Sequence, residues 1–195
     1  GKPFVQYWVH GQLLLADGVK MAKSAANAYT LDQLESRGFD PLAFRYLCLT
    51  TRFNARLNFT FSSLRGSQRA ITRIRDMAWD WSLDPRCVQA IPETVNYWRD
   101  AFLNRTSDNL DMPGSLAVVW AMARSDLPPK SKLQLLLGFD EILGLNLGSF
   151  PEIYQVPIDV ATLGKQRHEL RKRRQFSQAD NLRHELQKRH YIVRD

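Results

Sequence analysis

Apolar residues recur at helical spacing through the middle of this 195-residue chain, and this period constrains the fold more than any other feature. The segment 62–148 begins with a long amphipathic helix. Further helices open at Pro92, at Asp111 and after a Leu127-Pro128-Pro129 break, and Gly144 ends the last of them. The segment therefore predicts an all-α bundle. The inward face of its first helix comprises Leu64, Gln68, Ile71, Ile74, Ala78 and Trp81.

Short elements precede the bundle. Residues 4–9 alternate with β-prone side chains and residues 13–16 form a second apolar run, so a β-hairpin or two short strands are expected. Thr30 and Asp40 have the sequence contexts of helix N-caps, the latter followed by proline. Residues 54–60 predict irregular chain or a short strand.

Lys20-Met21-Ala22-Lys23-Ser24 follows a turn and is the first candidate site. Two lysines three residues apart, among small or flexible residues, suit a loop that closes over a triphosphate. When a carboxylate attacks the α-phosphorus of ATP, negative charge builds on the phosphate oxygens, and a nearby ammonium stabilises it. The alternative is a solvated loop with two exposed lysines.

A helical hairpin is predicted after a linker at residues 148–157, with a first arm over 158–173 and a second arm capped by Ser177. Residues 191–193 are expected to be extended. Cations crowd the turn, and they predict contact with RNA phosphates or, alternatively, a solvated tip. These cations are Arg167, Arg171, Lys172, Arg173 and Arg174.

Composition bounds the class of protein. A net charge of +7 and a pI of about 9.6 fit a polyanionic partner, and 44% hydrophobic residues suffice for one sizeable core or two small ones. No apolar run is long enough to span a bilayer. Cys48 and Cys87 are predicted to be small buried residues in a reduced, cytoplasmic setting, and no histidine has ligand spacing to them, so no metal site is predicted. The first residues suggest a tag or a fragment boundary.

In this order, the segments resemble the C-terminal part of a cysteinyl-tRNA synthetase, a class I aminoacyl-tRNA synthetase. The lysine segment differs by one residue from the KMSKS signature of that class. The resemblance runs over nearly the whole chain. The residues that carry it are 7–10 and 17–24 with Asn27, 40–41 and 45–47 with 57–59, 111–113 with 116–119, and 174–180 with 182–183, 186 and 192–195.

The resemblance implies ATP-dependent activation of cysteine and transfer to cysteine tRNA, with Mg²⁺ accompanying ATP. Lys23 would be the catalytic phosphate contact and Lys20 would support loop closure. Met21 would pack, Ala22 would keep the loop slim and Ser24 would donate a hydrogen bond, so residues 20–24 together would bind ATP. Ala22 replaces the signature's serine, at a cost of about 1 kcal/mol for one hydroxyl.

The family's HIGH-type histidine motif and zinc ligands are missing from this chain, although Zn²⁺ is expected in the intact enzyme. Gln12 and Leu13 stand where the family tends to have glycine and histidine, and the usual short tail is absent. This chain alone is therefore expected to be inactive. A tRNA-independent cysteine ligase of the same fold, acting on an amino-sugar thiol precursor, and a non-catalytic RNA-binding paralogue stay open as alternatives.

The predicted fold is mainly α, with a short β remnant of a Rossmann-type catalytic domain, and a monomer is expected. Four segments are predicted: the end of the catalytic domain with its lysine loop (1–28), a stem-contact segment (29–61), an anticodon-binding-type bundle (62–148), and a linker with a basic hairpin (149–195).

Overall fold

A three-stranded sheet lies near the start of a chain whose other regular elements are helices, in a computed structural model that describes residues 4–22, 27–85, 88–149 and 158–189. Strand β1 (Leu14–Ala16) is central. It pairs antiparallel with β2 (Val19–Lys20) and parallel with β3 (Leu57–Phe59). The mainly helical prediction is confirmed in this coarse form.

The tight turn between β1 and β2 is made by Asp17 and Gly18, whose φ angles are 49° and 81°. Left-handed φ values suit the short turns that join antiparallel strands. The Gly18 N–H also donates to Oδ1 of Asn58, at 2.8 Å, so the turn is bonded to β3. The hairpin therefore lies one element later than the sequence predicted.

Residues 4–9 are not a strand, and that prediction is wrong. Tyr7 is 86% exposed and Trp8 is 70% exposed. A strand needs a neighbour to bond its backbone. Both edges of β1 are occupied, by β2 and β3, so β1 has no edge left for the hairpin that was predicted between residues 4–9 and 13–16.

The predicted helix starts after β2 are confirmed. Helix α1 (Leu31–Glu35) has Thr30 as N-cap in a capping box with Gln33. Helix α2 (Pro41–Leu49) starts with proline after Asp40, whose side chain accepts from the Leu42 N–H at 2.8 Å. Such side-chain acceptors satisfy amides that the first helical turn leaves unbonded.

Four longer helices follow, and each begins within two residues of its predicted start. They are α3 (Phe61–Ser82), α4 (Pro92–Ser107), α5 (Met112–Arg124) and α6 (Pro129–Leu143). Asp111 caps α5 by accepting from the Gly114 N–H at 3.2 Å. Gly144, with φ 61°, ends α6 in the left-handed conformation that favours glycine.

One core joins the sheet and helices α1 to α6, which lie in the first of two compact units, residues 1–150. Phe59 of β3 is 1% exposed, and Phe102 of α4 stacks on Phe139 of α6 with ring centroids 4.2 Å apart. The predicted segments 29–61 and 62–148 thus pack against the same buried side chains. Among the largest of these are Phe59, Leu64, Ile71, Ile74, Phe102, Val119, Met122 and Leu136.

Cys48 is exposed, which corrects the prediction of a small buried residue. Helix α2 turns Ala43, Tyr46 and Leu47 inward. The next residue on an α-helix is rotated by about 100° from Leu47, and the thiol of Cys48 therefore leaves the core. Cys87 lies outside the described residues.

The second unit comprises residues 151–195, and its described part is a pair of helices, α7 (Ile158–Lys172) and α8 (Phe176–Lys188). Val160 of α7 and Ala179 and Leu186 of α8 are buried. The helical hairpin is confirmed, whereas the extended piece predicted at 191–193 lies outside the described residues. No helix in the described ranges is long and apolar enough to cross a membrane.

Ser177 does not cap α8, contrary to the prediction. The N-cap is Gln175, and its side chain makes no capping bond. Arg174 has φ 59°, and the Gln175 N–H donates to the Leu170 carbonyl at 2.9 Å. This compact reversal brings the chain back within three residues, so α8 has already begun when Ser177 is reached.

Candidate functional site

The lysine segment leaves the edge of the sheet. Lys20 is the last residue of β2, is exposed, and pairs with Leu15 of β1. Met21 continues the pairing because its N–H donates to the Leu14 carbonyl at 3.1 Å. The Met21 side chain packs against the core and Ala22 is half-buried. Lys23 and Ser24 lie outside the described residues.

The side-chain amide of Asn27 bridges the backbone on the near side of the segment. Its Oδ1 accepts from the Ala22 N–H at 2.9 Å, and its Nδ2 donates to the Lys20 carbonyl at 3.2 Å. Asn27 belonged to the resemblance with synthetases, but the sequence assigned it no role. Asn27 lies five residues after Ala22 and seven after Lys20, and these separations match no local sequence motif that would predict such a bridge.

Aromatic rings anchor the chain just beyond Asn27. The Tyr29 ring lies 5.6 Å from the Phe59 ring and 5.1 Å from the Phe61 ring, measured between centroids. The Arg37 guanidinium covers the Phe61 ring at 4.8 Å. Because Phe59 belongs to β3, the residues after the lysine segment are fixed to the same sheet as the residues before it.

This arrangement suits anion binding at Lys20. A lysine ammonium is a compact charge with three donors on a flexible stem, and it contacts phosphate oxygens well. The Lys20 side chain is exposed, while its carbonyl is bonded to Asn27 and the N–H of the next residue, Met21, is bonded to Leu14 of β1. The segment therefore combines a fixed backbone with an accessible cation.

The predicted RNA-contact residues of the hairpin divide into two groups. Lys172, Arg173 and Arg174 are exposed. Arg171 is half-buried with its guanidinium 5.9 Å from the Phe176 ring, and Arg167 is 3% exposed. The structure thus gathers the exposed cations at the C-terminal end of α7 and places Arg167 inside.

Exposed arginines also line α3. Arg65, Arg69 and Arg73 lie on one exposed face, and the Arg73 guanidinium is 5.8 Å from the Trp120 ring. Arg52 forms an ion pair with Asp111 at 3.2 Å. Its charge is therefore used within the fold.

Metal ligands are not clustered in the described ranges, where no group of three or more His, Cys, Asp or Glu side chains could hold an ion. The zinc implied by the resemblance has no ligand set among these residues. Among the histidines, His10 stacks on the Trp8 ring, with ring centroids 5.9 Å apart.

Comparison with known proteins identifies the class first. Residues 1–69, which contain the sheet, the lysine segment and Asn27, match the family model of the class I (C) tRNA synthetase catalytic domain. That segment is therefore similar to the catalytic domain of the class I tRNA synthetases.

The particular family follows from curated relatives. The chain is 36% identical to cysteine–tRNA ligase 1 of Burkholderia lata, with 100% of the chain and 40% of the relative aligned. It is 33% identical to cysteine–tRNA ligase of Borrelia turicatae over 96% of the chain and 43% of the relative. It is 32% identical to cysteine–tRNA ligase of Chlamydia trachomatis over 100% of the chain and 45% of the relative. The resemblance to cysteinyl-tRNA synthetases is confirmed, and the chain spans less than half the length of these relatives.

Proposed function

We propose that the chain is part of a cysteine–tRNA ligase and supplies its ATP-phosphate loop and part of its tRNA-binding surface. The observation that carries the proposal is the lysine segment held between β1 and Asn27, inside the region that matches the class I catalytic domain. The whole-chain similarity to cysteine–tRNA ligases supports cysteine as the amino acid. ATP with Mg²⁺, a cytoplasmic setting and a monomeric protein belong to the same proposal.

The proposed reaction has two steps. A carboxylate oxygen of cysteine attacks the α-phosphorus of ATP, the bond from that phosphorus to the bridging oxygen breaks, and pyrophosphate leaves. A terminal ribose hydroxyl of tRNA then attacks the cysteinyl carbonyl, and AMP leaves. Lys23 stabilises the charge on the phosphates in the first step, and Lys20 supports it. Met21, Ala22 and Ser24 complete the proposed ATP contacts.

The finer architecture is proposed along the same lines. Residues 29–61 form the stem-contact segment, residues 62–148 the anticodon-binding-type bundle and residues 149–195 the basic hairpin. Exposed Lys172, Arg173 and Arg174 support RNA contact at the hairpin. Arg171 and Arg167 are less accessible, and their proposed tRNA contacts rest on sequence alone.

Exchange of ³²P between pyrophosphate and ATP, measured on the intact ligase that contains this chain, tests the catalytic proposal. Lys23→Ala should lower the exchange rate by at least 100-fold with an unchanged melting temperature, because one charged contact to a transition state contributes about 3 kcal/mol. Lys130→Ala is the control, since Lys130 is an exposed lysine on α6. Unchanged exchange in Lys23→Ala would contradict the assignment.

Measurements of tRNA binding test this proposal against the two alternatives, the tRNA-independent ligase and the non-catalytic paralogue. The exposed cations of the hairpin favour an RNA partner, and the retained lysines favour a catalytic one. Titration of this chain with cysteine tRNA and a non-cognate tRNA at two salt concentrations should show tighter, salt-dependent cognate binding. Equal weak binding to both tRNAs, or none, would favour the tRNA-independent ligase or a paralogue that no longer reads the anticodon.

A further inference from the structure

We propose that Asn27 is a positioning residue of the lysine segment, whose side-chain amide holds the backbone from which Lys20 projects. This inference rests on the proposed function, because it assigns a role in the same phosphate-binding segment. Asn27 itself touches backbone atoms and needs no contact with ATP.

The two bonds of Asn27 have the pattern of a strand pairing. In a parallel sheet, one residue donates to the carbonyl of residue i−1 and accepts from the N–H of residue i+1 on its neighbour. The Asn27 amide does the same around Met21, donating to the Lys20 carbonyl and accepting from the Ala22 N–H, at 3.2 and 2.9 Å. A side chain thus takes the place of a missing neighbouring strand.

The opposite edge of the same backbone is bonded to β1. Successive residues of an extended chain direct their N–H and C=O groups to alternate sides. The Met21 N–H accordingly faces the Leu14 carbonyl, at 3.1 Å, while Lys20 and Ala22 face Asn27. The lysine segment is therefore held on both edges where β2 ends.

Asn27 can hold this backbone because its own position is fixed. Tyr29, two residues later, packs against both the Phe59 and the Phe61 rings. Thr30 then caps α1, and its N–H is itself bonded to Gln33 Oε1 at 3.1 Å. The amide is thus carried by chain that is anchored to both the sheet and the helices.

The chemistry requires asparagine in particular. Aspartate could still accept from the Ala22 N–H, but it cannot donate to the Lys20 carbonyl and would place negative charge against that oxygen. Alanine would leave both backbone groups without their partner. Support of this kind matters for catalysis because binding groups act best when held within a fraction of an ångström of their productive geometry.

Two readouts test the proposal on Asn27→Ala and Asn27→Asp. In this chain, hydrogen exchange at the Ala22 amide should be at least tenfold faster in Asn27→Ala and less affected in Asn27→Asp. In the intact ligase, both variants should lower kcat/KM for ATP in pyrophosphate exchange tenfold or more. Asn58→Ala is the matched control, because it also removes an asparagine bond to a backbone N–H, that of Gly18, in the same sheet.

The outcomes separate the two proposals. Rapid exchange at Ala22 in the unsubstituted chain would overturn the Asn27 contacts. Faster exchange at Ala22 with unchanged kcat/KM, or an equal loss of kcat/KM in Asn58→Ala, would overturn the positioning role. If Lys23→Ala also left pyrophosphate exchange unchanged, the proposed function would fail, and slow exchange at Ala22 would still support the Asn27 bridge.

Discussion

The Arg45 guanidinium lies against Gly144, and the contact joins α2 to the end of α6. The Arg45 Nε donates to the Leu143 carbonyl at 2.6 Å, across 98 residues of sequence. A Cβ placed on Gly144 would lie 2.9 Å from Arg45 Nη2. Gly144 also has φ 61°, so glycine is favoured there by conformation and by space.

Gly144→Ala should therefore destabilise the chain through two effects. We expect a left-handed alanine to cost about 1 kcal/mol, and disturbance of the Arg45 bond to cost about 1 kcal/mol more. Gly38→Ala is the control, since Gly38 has φ 81° and no atom within 4 Å of an added Cβ. Urea unfolding should show the larger loss for Gly144→Ala. An equal loss in both variants would contradict a role for the Arg45 contact.

Tyr46→Phe should destabilise the link between α2 and α5. The Trp120 indole N–H donates to the Tyr46 hydroxyl at 2.9 Å, and Tyr46 is only 6% exposed. Removing the hydroxyl leaves a half-buried donor without its partner, at a cost of about 1–2 kcal/mol in unfolding free energy. Tyr97→Phe is a control at a ring that is 65% exposed. Equal unfolding free energies for Tyr46→Phe and the parent chain would contradict the prediction.

The same tyrosine predicts a loss of stability at alkaline pH. Burial raises the pKa of Tyr46 above its ordinary value of 10.0, against a smaller lowering by the Trp120 hydrogen bond. The folded state thus favours the neutral phenol, whereas the unfolded chain ionises it from about pH 10. The contribution of the neutral Tyr46 phenol to the unfolding free energy is fully present below pH 10 and is lost as the pH rises through the pKa of Tyr46 in the folded state. Urea midpoints from pH 8 to 11 should fall less in Tyr46→Phe than in the parent chain.

Asp111→Asn should be costly because the carboxylate is nearly buried, with a side chain 5% exposed. It forms ion pairs with Arg52 at 3.2 Å and Arg105 at 3.4 Å, and it caps α5. Loss of its charge should cost about 2 kcal/mol of unfolding free energy, within the range for hydrogen bonds to charged groups. Asp100→Asn removes an exposed pair with Arg99 and should cost at most about 0.5 kcal/mol. Thermal and urea unfolding would check both values.

Charge reversal of Arg173 and Arg174 should weaken tRNA binding. If each contacts one phosphate, the slope of log K against log salt should become shallower by about 1.5. Reversal of Arg183 and Lys188 on α8 is the matched control, with the same change in net charge at exposed residues farther from the turn. Filter binding at several salt concentrations measures both. An equal change in the control pair would contradict a specific contact at the turn of the hairpin.

The sequence by itself determined where many helices begin and end. Thr30 and Asp40 were predicted as N-caps, Asp111 as a helix start and Gly144 as a helix end, and the structure confirms all four. These signals are reliable because a cap bonds a backbone group two to four residues away. The KMSKS-like segment was equally readable, since its signature is a run of neighbouring residues.

The tertiary structure decided which apolar run became a strand and which polar groups form hydrogen bonds with each other. Residues 13–16 overlap the central strand while residues 4–9 form none, because a strand depends on a partner that for β1 lies about 40 residues away at β3. Cys48, Asn58 and Arg45 owe their exposure or contacts to packing between elements distant in sequence. The bridge made by Asn27 likewise requires the folded sheet, because only pairing with β1 directs the Lys20 and Ala22 backbone toward it.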